Sequence, residues 1–340
     1  MTAVPGSASP SLRPGPATET RWAAALRAPL AVQLHWILRV GVAAEFVGHG
    51  LAGLHRTEPW ISYFGLFGIS RDFAFDHMFY VTGSIDILLG LLVLYRPMRS
   101  VLAYMAFWGF FTAWLRPLAD ESWFELVERG ANYGMPLAFL LLAGWGGFSL
   151  RRWFARIEPD ETVVADELAQ QLLRIVQVSI ALLLVGHGGL GVWADKAEWF
   201  DFFGYVGVGR GSVSSAHLMQ WVGFFEIALG LAVLVKPLRS LLVFILVWKV
   251  GTELLRPLVG QPNFQFIERS GDYVLPAAAL LLLALSGAET RWHRAPAWNR
   301  PPTAPGPVGL TATQAAFRAH LRSRQPDGGS LPPLPTKETT

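Results

Sequence analysis

The chain has 340 residues, of which 52% are apolar and 16% are charged, with fourteen Trp and a formal net charge of +3. This composition is too apolar for a surface that faces water on all sides, so it predicts an integral membrane protein. The absence of Cys excludes disulfides, thiolate metal sites and a dithiol relay within the chain, so redox chemistry would need a bound cofactor. A net charge this small gives no indication of a nucleic-acid partner.

The chain begins with a segment rich in Pro, Ser, Ala and Thr, residues 1–33, which we predict to be a disordered arm without a signal peptide. Eight apolar segments follow, and we interpret each as a transmembrane helix. They lie near residues 34–54, 78–95, 99–115, 131–149, 172–193, 217–235, 239–255 and 272–287. The expected fold class is therefore all-α, with the lipid bilayer as the main partner.

Short motifs of the first half recur in the second half in the same order and at nearly constant spacing. They are Val47-Gly48-His49-Gly50 with Val185-Gly186-His187-Gly188, Leu115-Arg116-Pro117-Leu118 with Leu255-Arg256-Pro257-Leu258, and Glu128-Arg129 with Glu268-Arg269. This pattern indicates a tandem duplication. Residues 34–150 and 172–290 are then two four-helix repeats, 151–171 is the linker between them, and 291–340 is a Pro-rich disordered tail.

Basic residues predict the orientation in the membrane. The turns at Arg96 and Lys236, the Arg-rich linker and both termini lie on the side with more Lys and Arg, which indicates the cytoplasm. We therefore expect a multi-pass protein of a bacterial inner membrane with both termini cytoplasmic. Because four helices are an even number, the two repeats would insert in parallel orientation, related by a pseudo-two-fold axis along the membrane normal.

In this topology the repeated polar residues share the periplasmic half of the membrane, which makes them the candidate site residues. The set comprises His49, His187, Asp86, Glu226, Arg116, Arg256, Glu128, Glu268, Arg129, Arg269, Tyr133 and Tyr273. The sequence predicts no separate metal site and identifies no catalytic residue.

The histidines allow three interpretations. Gly on both sides of each His lets another helix or a flat cofactor approach, and the pseudo-two-fold axis could bring His49 and His187 face to face. Each imidazole could then bond a quinone carbonyl, or the two could ligate a haem iron, but a packed and hydrogen-bonded His is the commonest case. Glu45 lies one helical turn before His49 and could orient it, although the second repeat has Leu183 there.

The charged residues also leave alternatives open. A carboxylate within the bilayer costs roughly 2.5–3.5 kcal/mol, so Asp86 and Glu226 should face the bundle, either locking helices together or handling a ligand or proton. We expect Arg116 to pair with Glu128 within the outer segment of its repeat, as a structural ion pair or for recognition of an anion or quinone carbonyl. Tyr133 is equally typical of an aromatic residue at the membrane interface.

The first repeat resembles the DoxX family of small four-helix bacterial membrane proteins. The likeness lies in Leu38-Arg39, Gly48-His49-Gly50-Leu51, Ile85-Asp86-Ile87-Leu88-Leu89-Gly90-Leu91-Leu92 and Gly144-Trp145-Gly146-Gly147-Phe148-Ser149-Leu150. The family usually has Glu where Asp86 stands, and the second repeat supplies it as Glu226. Two features depart from the family: its members are generally single four-helix units, and most lack the long outer segment between the Arg-Pro pair and the repeated Tyr.

The resemblance implies membrane redox work, because some relatives contribute to thiosulfate:quinone oxidoreductases and others are linked to thiol or oxidative-stress handling. The favoured function is therefore quinone-linked redox chemistry at a periplasm-facing site between the repeats, with a membrane or periplasmic redox partner. The alternative is a non-enzymatic anchor or assembly subunit for a partner protein. Transport of a small anion is less favoured, because no predicted helix has a Gly/Pro interruption at mid-membrane.

Overall fold

The computed structural model describes residues 29–159, 164–194, 196–208 and 215–286. Within these ranges every regular element is a helix, apart from one isolated β-bridge between Met98 and Arg156. The arm before residue 29 and the Pro-rich tail lie outside the described residues. The all-helical architecture expected from the apolar segments is confirmed for the described part of the chain.

The described part of the first half contains eight α-helices and one π-helical turn. These are α1 (Leu30–Leu54), α2 (Trp60–Gly65), α3 (Arg71–Phe73), the π turn (Ala74–Met78), α4 (Phe79–Tyr95), α5 (Arg99–Leu118), α6 (Trp123–Glu128), α7 (Gly130–Leu142) and α8 (Leu150–Trp153). Helix α7 is shorter than the predicted segment 131–149. It ends because Gly144 adopts a φ of 74°, a left-handed conformation that commonly follows the last helical turn.

The described second half contains six helices. These are α9 (Asp166–Trp193), α10 (Glu198–Tyr205), α11 (Ser215–Val235), α12 (Arg239–Leu258), α13 (Phe264–Glu268) and α14 (Ser270–Ser286). Each of the eight predicted apolar segments lies largely within one long helix of the structure: α1, α4, α5, α7, α9, α11, α12 or α14.

Four of the described helices are long and apolar enough to cross a membrane: Leu30–Leu54, Arg71–Tyr95, Asp166–Trp193 and Ser215–Val235. They are α1, the continuous helix from α3 to α4, α9 and α11. The other four long helices are either shorter or less apolar, so length and composition alone do not mark them as membrane-spanning. Helix α7 has only 13 residues, and α12 contains Lys249 and Glu253 within its apolar sequence.

The contacts among the long helices occur in matching pairs. Helix α1 packs on α4 as α9 packs on α11, and α5 packs on α7 as α12 packs on α14. Between the halves, α1 packs on α13 and α14, while α9 packs on α6 and α7. The first helix of each half is therefore surrounded by elements of both halves.

Glycines allow the closest of these helix contacts. A Cβ added to Gly50 of α1 would lie 2.5 Å from the carbonyl oxygen of Gly83 in α4, and Gly188 of α9 meets Gly223 of α11 in the same way. Small residues at such crossings let two helix backbones approach closely. The Gly that follows each repeated His therefore serves the packing of its own half.

The outward faces of the bundle are apolar. Leu88, Leu91, Phe107, Phe244 and Val247 are large side chains on α4, α5 and α12, and all are exposed. Many large apolar side chains exposed in this way would be unfavourable in water and are typical of contact with lipid.

Candidate functional site

Each half contains a cavity of about 280 Å³ beside its repeated His. We call the cavity of the first half the first aromatic cavity. It is lined by His49, Trp60, Tyr63, Phe64, Phe67, Ile69, Met78, Thr82, Asp86, Trp108, Phe111, Thr112, Leu115, Arg116 and Arg129. Its wall is therefore mostly aromatic and aliphatic, with a few polar groups, which is the usual character of a small-molecule site.

The second aromatic cavity has equivalent walls. It is lined by His187, Trp199, Phe202, Phe203, Val206, Val208, Leu218, Val222, Glu226, Trp248, Thr252, Glu253, Leu255 and Arg256. The cavities share no lining residue, so His49 and His187 do not line a common cavity in this structure. Both were candidates for a single site in which the two imidazoles face each other, and the structure places each beside its own carboxylate instead.

A His–carboxylate pair forms one wall of each cavity. His49 Nδ1 lies 2.8 Å from Asp86 Oδ2, and His187 Nδ1 lies 2.5 Å from Glu226 Oε2. Both carboxylates are almost fully buried. A carboxylate on Nδ1 fixes the orientation of an imidazole and leaves Nε2 for other interactions.

A Trp from the following short helix covers each imidazole. The rings of His49 and Trp60 have centroids 4.7 Å apart, and those of His187 and Trp199 are also 4.7 Å apart. The Trp pair stands at matching positions in the sequence, between each His motif and the next apolar segment, so an aromatic repeat was available as a signal. Because Trp is not a charged or strongly polar residue, it does not belong to the set of repeated polar residues.

The Gly before each His makes a contact between the halves. A Cβ on Gly48 would overlap the backbone of Glu268 in α13, and a Cβ on Gly186 would overlap the backbone of Glu128 in α6. Close approach of another helix was one of the two roles expected for these glycines, and it is the role that the structure shows. The motif thereby fixes each His between its own second long helix and the opposite half.

A more polar cavity of about 400 Å³ lies between the halves, and we call it the shared vestibule. Its lining includes Arg116, Arg129, Arg256, Arg269, Glu121, Glu125, Glu198, Glu268, Lys196 and Trp60. Arg116 and Arg129 also line the first aromatic cavity, and Arg256 also lines the second. The repeated arginines therefore meet in one place, at the border of both aromatic cavities.

The expected pairing of Arg116 with Glu128 is wrong. Arg116 Nη1 lies 3.2 Å from Glu121 and 3.3 Å from Glu125, both in its own outer segment. Glu128 instead accepts a hydrogen bond of 2.9 Å from Nη1 of Arg269 in the other half. The reason is the Gly186 contact, which holds the end of α6 against α9 and turns Glu128 toward the opposite half.

The second arginine of the pair makes different contacts. Arg256 donates from Nε to Glu253 at 2.7 Å and from Nη1 to Glu198 at 3.3 Å. Glu253 has no counterpart in the first half, where Ala113 occupies the matching position. The two arginines therefore occupy equivalent places but have different ion-pair partners.

The environment of Glu128 keeps it ionised. Burial alone would raise the pKa of Glu128, but Arg269, Lys196 and Arg129 lower it well below the ordinary value of 4.5. The pKa of Glu268 is also lowered, because His49, Arg129 and Arg269 outweigh the effect of its burial. These carboxylates are thus held as anions among cations contributed by both halves.

Three buried charged residues of the second half were missed by the sequence analysis. Lys249 Nζ lies 2.9 Å from Asp272 Oδ2 and 3.2 Å from Glu253 Oε1, and all three side chains are buried. The first half has Gly109, Ala113 and Asn132 at the matching positions. A search restricted to repeated residues could not find them, although charges inside an apolar helix were a usable signal.

Tyr133 and Tyr273 line neither aromatic cavity nor the shared vestibule. Tyr133 packs edge-on against Phe110, and Tyr273 donates its hydroxyl hydrogen to the carbonyl of Phe266 at 2.9 Å.

Glu45 does not orient His49. Its carboxylate is buried near Gly271 of the second half, and neither oxygen has a hydrogen-bond partner.

Within the part of the chain that the structure describes, no group of three or more His, Asp or Glu side chains is placed to hold a metal ion.

Comparison with family models, with curated proteins and with solved structures gave no match.

Proposed function

We propose that the chain is a DoxX-like membrane protein that binds the ring of a quinone-type molecule in an aromatic cavity and exchanges protons with it. The observation that carries the proposal is the pair of the partly buried His49 and the buried Asp86 in the wall of a cavity that is otherwise mostly aromatic and aliphatic. The pair of His187 and Glu226 repeats it. Aromatic walls accept a flat ring and exclude water, while the imidazole supplies a ring nitrogen that can donate or accept a proton.

In the proposed chemistry, protons and electrons reach the quinone from different sources. Reduction of a quinone to a quinol consumes two electrons and two protons. In each pair Nδ1 faces the carboxylate, so Nε2 can pass a proton to or from an oxygen of the ring. We assign the two electrons to a membrane or periplasmic redox partner. The shared vestibule, which borders both cavities and is lined by charged groups, provides a polar route for the protons.

The proposal also includes the arrangement in the membrane. We propose that all eight long helices span the bacterial inner membrane as two repeats in parallel orientation, with both termini cytoplasmic. Matching contacts within the halves and matching contacts between them support a pseudo-two-fold relation. The shared vestibule, which borders the aromatic cavities through Arg116, Arg129 and Arg256, then faces the periplasm.

Ring binding can be tested on the full chain purified in detergent. We expect a short-chain substituted benzoquinone or its quinol to raise the melting temperature, and we expect the double variant His49→Gln/His187→Gln to lose this effect. His77→Gln is a suitable control, because His77 is exposed, has no repeated counterpart and stacks on Phe73 outside the cavities. A wild-type protein that neither form of the ring stabilises would contradict the proposal.

The non-enzymatic anchor is the alternative function that an observation favours. The ion pair of Glu128 with Arg269 connects the two halves without lining either aromatic cavity, as expected of a purely structural clamp. Anion transport gains no such support, because Arg116, Arg129, Arg256 and Arg269 all pair with carboxylates. The ring-binding experiment separates the anchor from the redox protein.

A further inference from the structure

The two aromatic cavities differ in how their carboxylates are satisfied. In the second cavity Glu226 Oε2 is bonded to His187, and Glu226 Oε1 accepts a hydrogen bond of 2.9 Å from Trp248 Nε1. In the first cavity Asp86 Oδ2 is bonded to His49, but Asp86 Oδ1 and Trp108 Nε1 are both buried without a hydrogen-bond partner. The side chain of Asp86 is one methylene shorter than that of Glu226, which accounts for the missing contact.

The unpaired atoms belong to side chains that line the first cavity, which makes them candidates for contact with a bound molecule. Asp86 is only 1% exposed, and a buried donor or acceptor without a partner forgoes the hydrogen bonds that it would make in water. Arg129 Nε, on a side chain that lines the same cavity, is a third buried atom without a partner. No such atom belongs to a described side chain of the second cavity.

Two further differences add hydrogen-bonding side chains to the first cavity, whereas the second cavity has Glu253 where the first half has Ala113. Tyr63 and Thr82 of the first cavity stand where the second has Phe202 and Val222. The first cavity therefore offers more hydrogen-bonding groups within a wall of the same general shape.

We infer that the first aromatic cavity is the ligand site of the chain and selects a hydroxyl-bearing aromatic ring, such as a quinol, over the oxidised quinone. A hydroxyl group accepts a hydrogen bond from Trp108 Nε1 and donates one to Asp86 Oδ1, so it satisfies both atoms at once. A quinone carbonyl can accept a hydrogen bond but cannot donate one, so it leaves Asp86 Oδ1 without a partner. The second cavity is closed to such a ligand by the bond between Trp248 and Glu226. This inference rests on the proposed function, because it names the redox form and the cavity that the site prefers.

Exchanging the two carboxylates tests the inference on the full chain in detergent. For the wild-type protein, anaerobic titration should give one equivalent of a short-chain benzoquinol, bound about tenfold more tightly than the quinone. The variant Asp86→Glu places in the first cavity the residue that the second already carries, so it should fold and should lose about tenfold in quinol affinity. The reverse variant Glu226→Asp should gain a second equivalent of quinol.

A second variant guards against a folding defect in the first. Trp108→Phe retains the ring but removes the N–H donor, so it should weaken the binding of quinol and quinone alike while the melting temperature shows that the protein is folded. Equal affinity for the two redox forms, two equivalents in the wild type, or unchanged binding by Asp86→Glu would overturn the inference while the proposed function stands. Absence of binding of either form to the wild type would remove both.

Discussion

Gly48 of the first half lies directly against the backbone of Glu268 in the second half, and Gly186 lies against Glu128 in the same way. Each contact places a repeated His beside the outer segment of the opposite half. The position of the two His–carboxylate pairs therefore depends on contacts between the halves as well as on packing within each half.

Substitution of these glycines should lower stability. Gly48→Ala and Gly186→Ala insert a Cβ into the space occupied by backbone atoms, which cannot move as easily as a side chain, so we expect a loss of about 1–3 kcal/mol. Gly204→Ala in α10 is a matched control, because no atom lies within 4 Å of its added Cβ and Ala favours a helix. Melting temperatures in detergent measure the effect. Equal melting temperatures for Gly186→Ala and the control would contradict the packing contact.

The ion pair of Arg269 with Glu128, which joins the two halves, should stabilise the protein more than the pair of Arg129 with Glu125 within the first half. Arg269→Gln removes the 2.9 Å partner of the buried Glu128, and loss of one member of a buried pair costs on the order of 3–5 kcal/mol. Arg129→Gln should cost less, because Arg129 reaches Glu125 at 3.5 Å and Glu125 keeps Lys196 at 2.6 Å. Thermal unfolding of the two variants tests the order. A larger loss for Arg129→Gln would be inconsistent with the structure.

The lowered pKa of Glu128 predicts a dependence of stability on pH. Because the folded protein binds a proton on Glu128 less readily than the unfolded chain does, the stabilisation is fully present above the ordinary pKa of 4.5 and is lost as the pH falls below it. We expect the melting temperature to decline on acidification from about pH 5. Glu128→Gln should begin lower at neutral pH and decline less steeply. Parallel curves for the two proteins would show that another group controls the acid sensitivity.

The repeated arginines should differ in their effect on stability. Arg256→Ala removes the 2.7 Å partner of Glu253, which is 2% exposed and keeps longer contacts, the nearest being 3.2 Å to Lys249. Arg116→Ala removes contacts of 3.2 and 3.3 Å to Glu121, which water can reach, and to Glu125, which keeps Lys196 at 2.6 Å. We therefore expect Arg256→Ala to lower the free energy of unfolding more, by on the order of 3 kcal/mol. Denaturation of both variants under the same conditions measures which of them loses more stability. A larger effect of Arg116→Ala would contradict the difference in partners.

The proposed topology can be tested by labelling, since the chain contains no Cys of its own. Glu58→Cys and Glu198→Cys place a thiol at exposed positions in the segments that follow the two repeated His motifs, and a reagent that cannot cross the membrane should label both in intact cells. Glu158→Cys and Lys236→Cys, also exposed, should react only after the membrane is opened. Labelling of Glu58→Cys and Glu198→Cys from opposite sides would exclude parallel repeats.

Part of the site could be predicted from the sequence because the duplication marked it. The repeated His and the carboxylate of the next apolar segment were both identified, and the structure pairs them in each half at hydrogen-bonding distance. The pairing itself was not predicted, since Glu45 stood nearer to His49 along the chain. Which face of a helix meets which neighbour depends on helix rotation, and close glycine contacts such as that of Gly50 with Gly83 set this rotation.

The sequence by itself determined the all-helical class, the apolar segments and the order of the repeated motifs, because these follow from composition and from comparison of the two halves. Only the tertiary structure decided that Glu128 pairs with Arg269 across the halves, that Lys249 lies between Glu253 and Asp272, and that each His has its own cavity. The physical reason is that ion pairs and cavities form between residues far apart in the chain. Their distances depend on how closely whole helices can approach, which a repeated motif does not specify.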